Sequence, residues 1–192
     1  MLAMPASNEL VYEKRDITVS FQIPTTHRPF VEALGKLRFE ENQKRKNPLC
    51  DFNPLADTLG VLGELALQIL TGIPMNLEIG VRDKFDFQVE DLFIDVKASG
   101  TNLLRIKEKT LQTKPNFIYC LCQTSLETFY CKFCGIILGE HIPSPFNKGE
   151  LKPGKNNLMN WVVKNNNLRG MWELKNMIRE RNGFNKNGIW VE

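Results

Sequence analysis

The 192-residue chain predicts an α/β protein in which a mixed central β-sheet is flanked by helices. Several short segments alternate apolar and polar residues, and three longer ones space their apolar residues three or four apart. A repeat of two is typical of a half-buried strand, and a repeat of three to four is typical of a helix with one buried face. Hydrophobic residues make up 42% of the chain and charged residues 24%, the usual balance of a globular protein with a core.

The N-terminal part predicts one strand and one helix. At residues 17–23, four apolar positions alternate with polar ones, which indicates a strand. From about residue 29 to residue 46 the apolar spacing lengthens, and Phe30, Leu34 and Leu37 are expected to form the buried face of a helix.

The clearest helix is predicted at residues 55–71 and ends at Gly72. Gly60 and Gly63 lie inside it, each at a cost of about 1 kcal/mol relative to alanine. Glu64 follows directly; the glycines suggest that the sheet or a ligand comes close to it, whereas an ordinary solvated glutamate is the simpler interpretation. The apolar stripe of this helix consists of Leu55, Leu59, Leu62, Ala66, Ile69 and Leu70.

Three strands are predicted next, at residues 77–81, 85–89 and 92–97. The second and third form a hairpin around the polar pair at residues 90–91. The second strand turns its two phenylalanines and a valine toward the core, and the third turns a leucine, an isoleucine and a valine the same way.

Charged side chains are expected to converge on this hairpin. Asp95 and Lys97 share one face of the third strand, because residues two apart in a strand project the same way. Asp86 lies on the preceding strand and is expected to point to the same place. Two carboxylates and an ammonium on a sheet are costly unless they neutralise one another or hold a cation.

The second half of the chain predicts two strands and a helix, and it contains one segment whose structure stays undecided. Residues 103–107 fit a strand or a helix equally well. Residues 117–122 form a compact apolar run that predicts a buried strand, and residues 128–137 read as its neighbour. Residues 171–178 space their apolar positions as a helix.

Four cysteines leave two interpretations open. Cys120, Cys122, Cys131 and Cys134 could supply four thiolates to a zinc site, but only the second pair has a usual ligand spacing. Both pairs also lie in predicted strands, where cysteine serves as a small apolar core residue. The alternative to an enzyme is therefore a zinc-ribbon protein that binds nucleic acid without catalysis.

A glutamate in a helix, then an aspartate, then an Asp-x-Lys strand resembles the PD-(D/E)XK nuclease superfamily over about residues 55–142. The resemblance implies a restriction-endonuclease-like core and a Mg²⁺-dependent endonuclease acting on DNA, with Mn²⁺ able to substitute. Carried over position by position, the site residues are Glu64, Asp86, Asp95 and Lys97, with the backbone carbonyl of Val96 joining the acids as a metal ligand.

One departure from the family pattern concerns the first strand acid. No proline precedes Asp86, and Asp83 and Glu78 stand nearby as competitors. Asp86 is preferred because core-facing phenylalanines flank it, whereas Asp83 falls in a predicted turn.

Charge is distributed unevenly. Residues 1–100 hold 11 Lys and Arg against 15 Asp and Glu, and residues 101–192 hold 14 against 7. An acidic part with the converging carboxylates followed by a basic part suits a polyanion handled at a cation site, although surface charge varies in any protein. The expected DNA contacts are Lys44, Arg45, Lys46, Arg105, Lys107, Lys175 and Arg179.

Two parts are expected: a nuclease core at residues 1–142 and a basic, asparagine- and lysine-rich extension at residues 143–192, packed on or beside it. The sequence shows neither a leader pattern nor an apolar run long enough to span a bilayer. Five cysteines, an odd number, are typical of a reducing, intracellular compartment. A homodimer would allow two such sites to cut two strands.

Overall fold

The computed structural model of the protein describes residues 11–12, 18–44, 53–79, 85–143, 146, 148–154 and 158–181. These residues form nine β-strands and four α-helices. The strands are β1 Val11–Tyr12, β2 Val19–Gln22, β3 Phe87–Val89, β4 Leu92–Ser99, β5 Leu103–Lys107, β6 Ile118–Ser125, β7 Tyr130–Leu138, β8 Gly149–Pro153 and β9 Met159–Lys164. The helices are α1 Arg28–Lys44, α2 Pro54–Thr71, α3 Glu108–Thr113 and α4 Met171–Glu180.

Two sheets organise these elements. The larger has the strand order β1-β2-β7-β6-β4-β3, in which β4 and β6 are parallel and the other neighbours are antiparallel. The smaller is antiparallel, with the order β5-β9-β8. The predicted mixed α/β fold with a sheet flanked by helices is confirmed.

The larger sheet is covered on both faces, and strand β6 shows this most clearly. Its residues Ile118 and Cys120 face a core shared with α1, α2 and α4. The alternate residues Tyr119 and Leu121 face a second core shared with the smaller sheet and α3. Because both faces of β6 are buried, its sequence is a continuous apolar run rather than an alternating one.

Helix α1 is confirmed, but its buried face differs from the predicted one. Leu34 is buried as predicted, but Phe30 and Leu37 are 41% and 51% exposed, and Val31 and Gly35 are buried in their place. A Cβ atom on Gly35 would lie only 2.7 Å from the Cα atom of Thr58 on α2, so the glycine allows the two helices to approach.

Helix α2 is capped at both ends. The Asn53 side chain accepts a hydrogen bond from the backbone of Leu55, and Gly72 closes the helix with φ of 73°. The predicted contact with the sheet is confirmed at Gly63, where a Cβ atom would lie 3.3 Å from the Val96 side chain. Gly60 differs, because nothing lies within 4 Å of the corresponding position.

The strand predicted at residues 77–81 is wrong over its described part. Residues 73–79 have no regular structure, and the side chains of Leu77 and Ile79 are exposed. Ile73 and Met75 are buried in their place, so the segment packs through the residues just after α2. The rest of the predicted strand lies outside the described residues.

The first strand of the hairpin is shorter than predicted, because the backbone bends at Asp86 and β3 begins one residue later. The bend breaks the expected alternation. Phe87 is buried in the core between the larger sheet and the helices. The ring centroid of Phe85 instead lies 5.4 Å from that of Phe93, on the opposite face of β4. Phe85 therefore does not share the core face of Phe87, as the sequence had suggested.

The later elements complete both layers. Residues 103–107, undecided from sequence, form strand β5, and the helix predicted near residue 171 is α4. The described residues after 142 supply β8, β9 and α4; β9 pairs with β5, and α4 buries Met171, Leu174 and Ile178 in the first core. None of the helices in the described ranges combines the length and apolar character needed to cross a membrane.

Two helix glycines should respond oppositely to replacement by alanine. Gly60→Ala should raise the free energy of unfolding by about 0.5–1 kcal/mol, because alanine favours helix and meets nothing. Gly35→Ala should lower it, because overpacking typically costs about 1–3 kcal/mol and exceeds the helix gain. Urea denaturation of both variants checks this, and destabilisation of Gly60→Ala beyond that of Gly35→Ala would contradict the helix packing.

Candidate functional site

The candidate site lies where strand β4 loses its neighbour β3. The register of the hairpin ends at the pair Phe87–Ile94, with one further hydrogen bond from the Asp86 amide to the Ile94 carbonyl at 3.0 Å. Beyond that point the Asp86 side chain takes the place of a strand, because its Oδ2 atom accepts a hydrogen bond from the Val96 amide at 2.7 Å. A carboxylate thus occupies the open edge of β4.

The direction of the Val96 carbonyl follows from this bond. The N–H and C=O groups of one strand residue point to the same side, and residues alternate between the two neighbours. Since the Val96 amide faces Asp86, its carbonyl faces the same open edge. The side chain of Val96 turns toward α2, where it packs on Gly63.

Asp95 and Lys97 project from the other face of β4. Their Cα partners on β6 are Tyr119 and Leu121, which face the second core. The Lys97 Nζ atom lies 2.6 Å from Asp95 Oδ2, and the Asp95 residue is only 7% exposed. Burial and the Asp95 charge both raise the pKa of Tyr119, which places that carboxylate beside the second core.

Glu64 approaches the same edge from helix α2, and Arg38 of α1 holds it. The Arg38 guanidinium donates two hydrogen bonds to the Glu64 carboxylate, at 2.5 Å and 2.7 Å. Both side chains are well buried, with exposures of 16% for Arg38 and 5% for Glu64. A bidentate guanidinium–carboxylate pair of this kind fixes orientation as well as charge, and an ordinary solvated glutamate is ruled out.

The electrostatics join these groups into one site. Burial raises the pKa of Asp86 well above its ordinary value, and the negative charges of Glu64 and Asp95 raise it further. The Lys97 charge and the hydrogen bond from Val96 act in the opposite direction but do not prevail. Asp86 is therefore a carboxyl group whose ionised form is disfavoured, chiefly by desolvation and further by the neighbouring acids.

The two cations are stabilised by the same acids. Burial alone would lower the pKa of Lys97, but Asp95 and Asp86 outweigh it and the net shift is upward. Burial alone would also lower the pKa of Arg38, and the hydrogen bond and charge of Glu64 together with the Asp86 charge raise it. Both side chains stay protonated and serve as counter-charges.

The structure places the four residues singled out by sequence within electrostatic reach of one another and adds Arg38, which sequence reasoning missed. Arg38 follows Leu34 by four positions and Gly35 by three, so it lies on the buried face of α1. An arginine on the predicted buried face of a helix was the sequence signal that could have identified Arg38. Of the competing acids, Glu78 is exposed on the irregular segment, and Asp83 lies outside the described residues.

The predicted DNA contacts do not gather on one surface. Lys44 is the last residue of α1, and its Nζ atom lies 3.6 Å from the Oε2 atom of Glu41. Arg45 and Lys46 fall outside the described residues. The others divide between two faces of the larger sheet. Arg105 and Lys107 belong to β5 in the smaller sheet, and Lys175 and Arg179 belong to α4 on the side of the helices.

The four cysteines do not converge on one point. Cys120, Cys122 and Cys131 face the first core, whereas Cys134 faces the second, on the other side of the sheet. Burial raises the pKa of the Cys120 and Cys122 thiols, which disfavours thiolates. Within the described ranges, no three His, Cys, Asp or Glu side chains lie close enough to hold a metal ion by themselves.

Comparison with models of protein families, with curated proteins and with solved structures finds no significant match to this chain. The case for a function therefore depends on the geometry of the site.

The Arg38–Glu64 pair should be strongly coupled in stability. Arg38→Met should lower the free energy of unfolding by about 3–5 kcal/mol, because it leaves a buried carboxylate without its partner. The double variant Arg38→Met/Glu64→Gln should recover more than half of that loss, since no charge is stranded.

Urea denaturation of the single and double variants gives the coupling energy. Asp91→Asn is the control, because it removes the exposed pair with Arg181 and should change stability little. Additive effects at positions 38 and 64 would contradict the proposed pairing.

Replacing Asp86 by asparagine should stabilise the metal-free protein in a pH-dependent manner. A carboxyl group whose pKa is raised on folding contributes stability below its ordinary pKa of about 4 and loses that contribution as the pH rises through the raised value. Asp86→Asn escapes this loss, and its amide oxygen still accepts the hydrogen bond from Val96.

The difference in melting temperature between Asp86→Asn and the unmodified protein should therefore be smallest near pH 4 and grow toward pH 8. Thermal unfolding in a chelator measures it. A difference that stays constant over this range would show that Asp86 is not held among other negative charges.

Proposed function

We propose that this protein is a Mg²⁺-dependent endonuclease that hydrolyses phosphodiester bonds of DNA. The observation that supports it most is the set of three carboxylates and two cations around strand β4, which interact electrostatically with one another. Burial and the charges of Glu64 and Asp95 raise the pKa of Asp86, so its ionised form is disfavoured in this set. A divalent cation beside Asp86 would favour the ionised form and offset that cost.

The donor atoms at the edge suit Mg²⁺. Asp86 and Asp95 offer carboxylate oxygens, and the Val96 carbonyl faces the same edge as Asp86. Mg²⁺ is commonly held by one or two carboxylates with water and substrate oxygens, so a group of three acids is not required. When bound, the ion would polarise the phosphate and lower the pKa of a coordinated water.

Lys97 has a role defined by its position. Its ammonium lies 2.6 Å from Asp95 and is kept protonated by the surrounding acids. From there it can donate hydrogen bonds to the attacking water or to a phosphate oxygen, on which negative charge accumulates during the reaction. Its side chain is 32% exposed, so it remains accessible to a substrate.

Glu64 and Arg38 act as a support for the site. The bidentate bond fixes the Glu64 carboxylate on α2, close enough to raise the pKa of Asp86. We infer that Glu64 contributes through a bound water or through its charge, because Arg38 already engages both of its oxygens.

The arrangement of elements supports a restriction-endonuclease-like core. Helix α2 carries Glu64, the bend before β3 carries Asp86, and β4, next to the edge strand of a mixed sheet, carries Asp95 and Lys97. The order of these elements matches the nuclease pattern that the sequence resembles. The basic second half of the chain suits DNA as the polyanionic substrate.

Variants of the strand residues should separate catalysis from binding. Asp95→Ala and Lys97→Ala should each lower Mg²⁺-dependent cleavage of supercoiled plasmid by about 100-fold or more, since each removes charge at the reacting group. Asp86→Ala should be as severe, and Asp83→Ala should be mild. DNA binding, measured in chelator, should persist in all four variants.

Gel analysis of nicked and linear products over time provides the measurement, and circular dichroism verifies folding. Cleavage within a few-fold of the unmodified protein in Asp95→Ala or Lys97→Ala would contradict the site. A severe Asp83→Ala beside a mild Asp86→Ala would show that the other aspartate belongs to it.

A further inference from the structure

The smaller sheet has an outward face that the register defines. Leu104 and Ile106 of β5 and Val163 of β9 are buried in the second core. Paired residues of antiparallel strands share a face, and alternate residues face the opposite way. The outward residues are therefore Leu103, Arg105 and Lys107 on β5, Asn160, Val162 and Lys164 on β9, and Glu150 and Lys152 on β8.

This outward face is basic. Among the described strand residues of this face, the charged side chains are Arg105, Lys107, Lys152, Lys164 and Glu150, a formal net charge of +3. Arg105, Lys152 and Lys164 are exposed to solvent. Three neighbouring strands thus present cations on one face, which creates a positive potential that attracts polyanions.

Glu150 moderates this surface without cancelling it. Its carboxylate lies 2.6 Å from the Lys152 ammonium and 4.0 Å from that of Lys164. All three side chains are more than half exposed, so water screens these pairs and they bind weakly. The lysines can exchange Glu150 for phosphate at little cost.

The position of the face relative to the candidate site favours a nucleic acid. Asp95 and Lys97 project from β4 on the side of the larger sheet that carries the smaller sheet. The outward face is therefore one sheet layer, about 10 Å, farther out on the side of these residues, a separation that an extended polyanion can span. The face offers only Leu103 and Val162 as apolar groups and no aromatic side chain, which is a poor anchor for a lipid surface.

We propose that the outward face of the β5-β9-β8 sheet is the docking surface for the phosphate backbone of duplex DNA. The inference rests on the proposed function for the choice of DNA as the polyanion. It differs from the sequence-based expectation, because it assigns Lys152 and Lys164 to the contact and places α4 and the end of α1 outside it.

Binding of a fluorescein-labelled 20-base-pair duplex, followed by anisotropy in chelator across a range of salt concentrations, tests this proposal. Arg105→Glu/Lys152→Glu should weaken binding at least 10-fold. It should also reduce the slope of log affinity against log salt by about 2, since each phosphate contact contributes about 0.9. Glu150→Gln should strengthen binding a few-fold, because it removes the only negative charge of the face.

The matched control is Lys36→Glu/Arg179→Glu, which changes net charge equally but on α1 and α4. It should change affinity and salt slope much less than the sheet variant. Equal losses in the two double variants would overturn the proposal, as would unchanged binding in the sheet variant. Absence of duplex binding, with or without binding to phosphatidylserine vesicles, would overturn it too.

Cleavage assays separate this inference from the proposed function. Duplex binding that depends on the sheet face, in a protein that never cleaves DNA with Mg²⁺, would support the docking surface and remove the hydrolytic activity. Cleavage at an unchanged rate in Arg105→Glu/Lys152→Glu would retain the activity and overturn the docking surface.

Discussion

Three carboxylates that interact electrostatically around strand β4 are the constraint on which the structure depends. Glu64, Asp86 and Asp95 come from a helix, a bend and a strand, and each is at least partly buried. Burying like charges together is costly, and here Arg38 and Lys97 offset most of that cost. The pKa of Asp86 is raised all the same, first by burial and then by the charges of Glu64 and Asp95.

Packing around the site serves to keep these charges in place. Gly35 lets α1 approach α2 closely enough for Arg38 to reach Glu64, and Gly63 lets α2 lie directly on β4. The short β3 leaves the edge of β4 free for the Asp86 side chain. Substitutions at these positions would act on the site through geometry rather than through chemistry.

The sequence pattern predicted a residue's position correctly where that position depends only on the residue's own strand or helix. The shared face of Asp95 and Lys97 follows from their spacing, and the contact of Gly63 with the sheet follows from a glycine in a helix. The same pattern gave wrong predictions where the backbone is not regular strand or helix. The bend at Asp86 places Phe85 on the opposite face, and residues 77–79 alternate without forming a strand.

Tertiary pairing could not be inferred from a single sequence. Arg38 meets Glu64 only because two helices pack, and neither residue's neighbours specify the other. The smaller sheet joins β5 to strands from the later, basic part of the chain, so its outward face appears only once the register is known.

The central claim is that the open edge of β4 holds a divalent cation. Anomalous scattering from crystals grown with Mn²⁺ tests it most directly, because the ion's position is located independently of any activity. The account predicts one strong peak between the carboxylates of Asp86 and Asp95 and the carbonyl of Val96. A well-ordered edge without such a peak, or a peak only at the cysteines of β6 and β7, would contradict it.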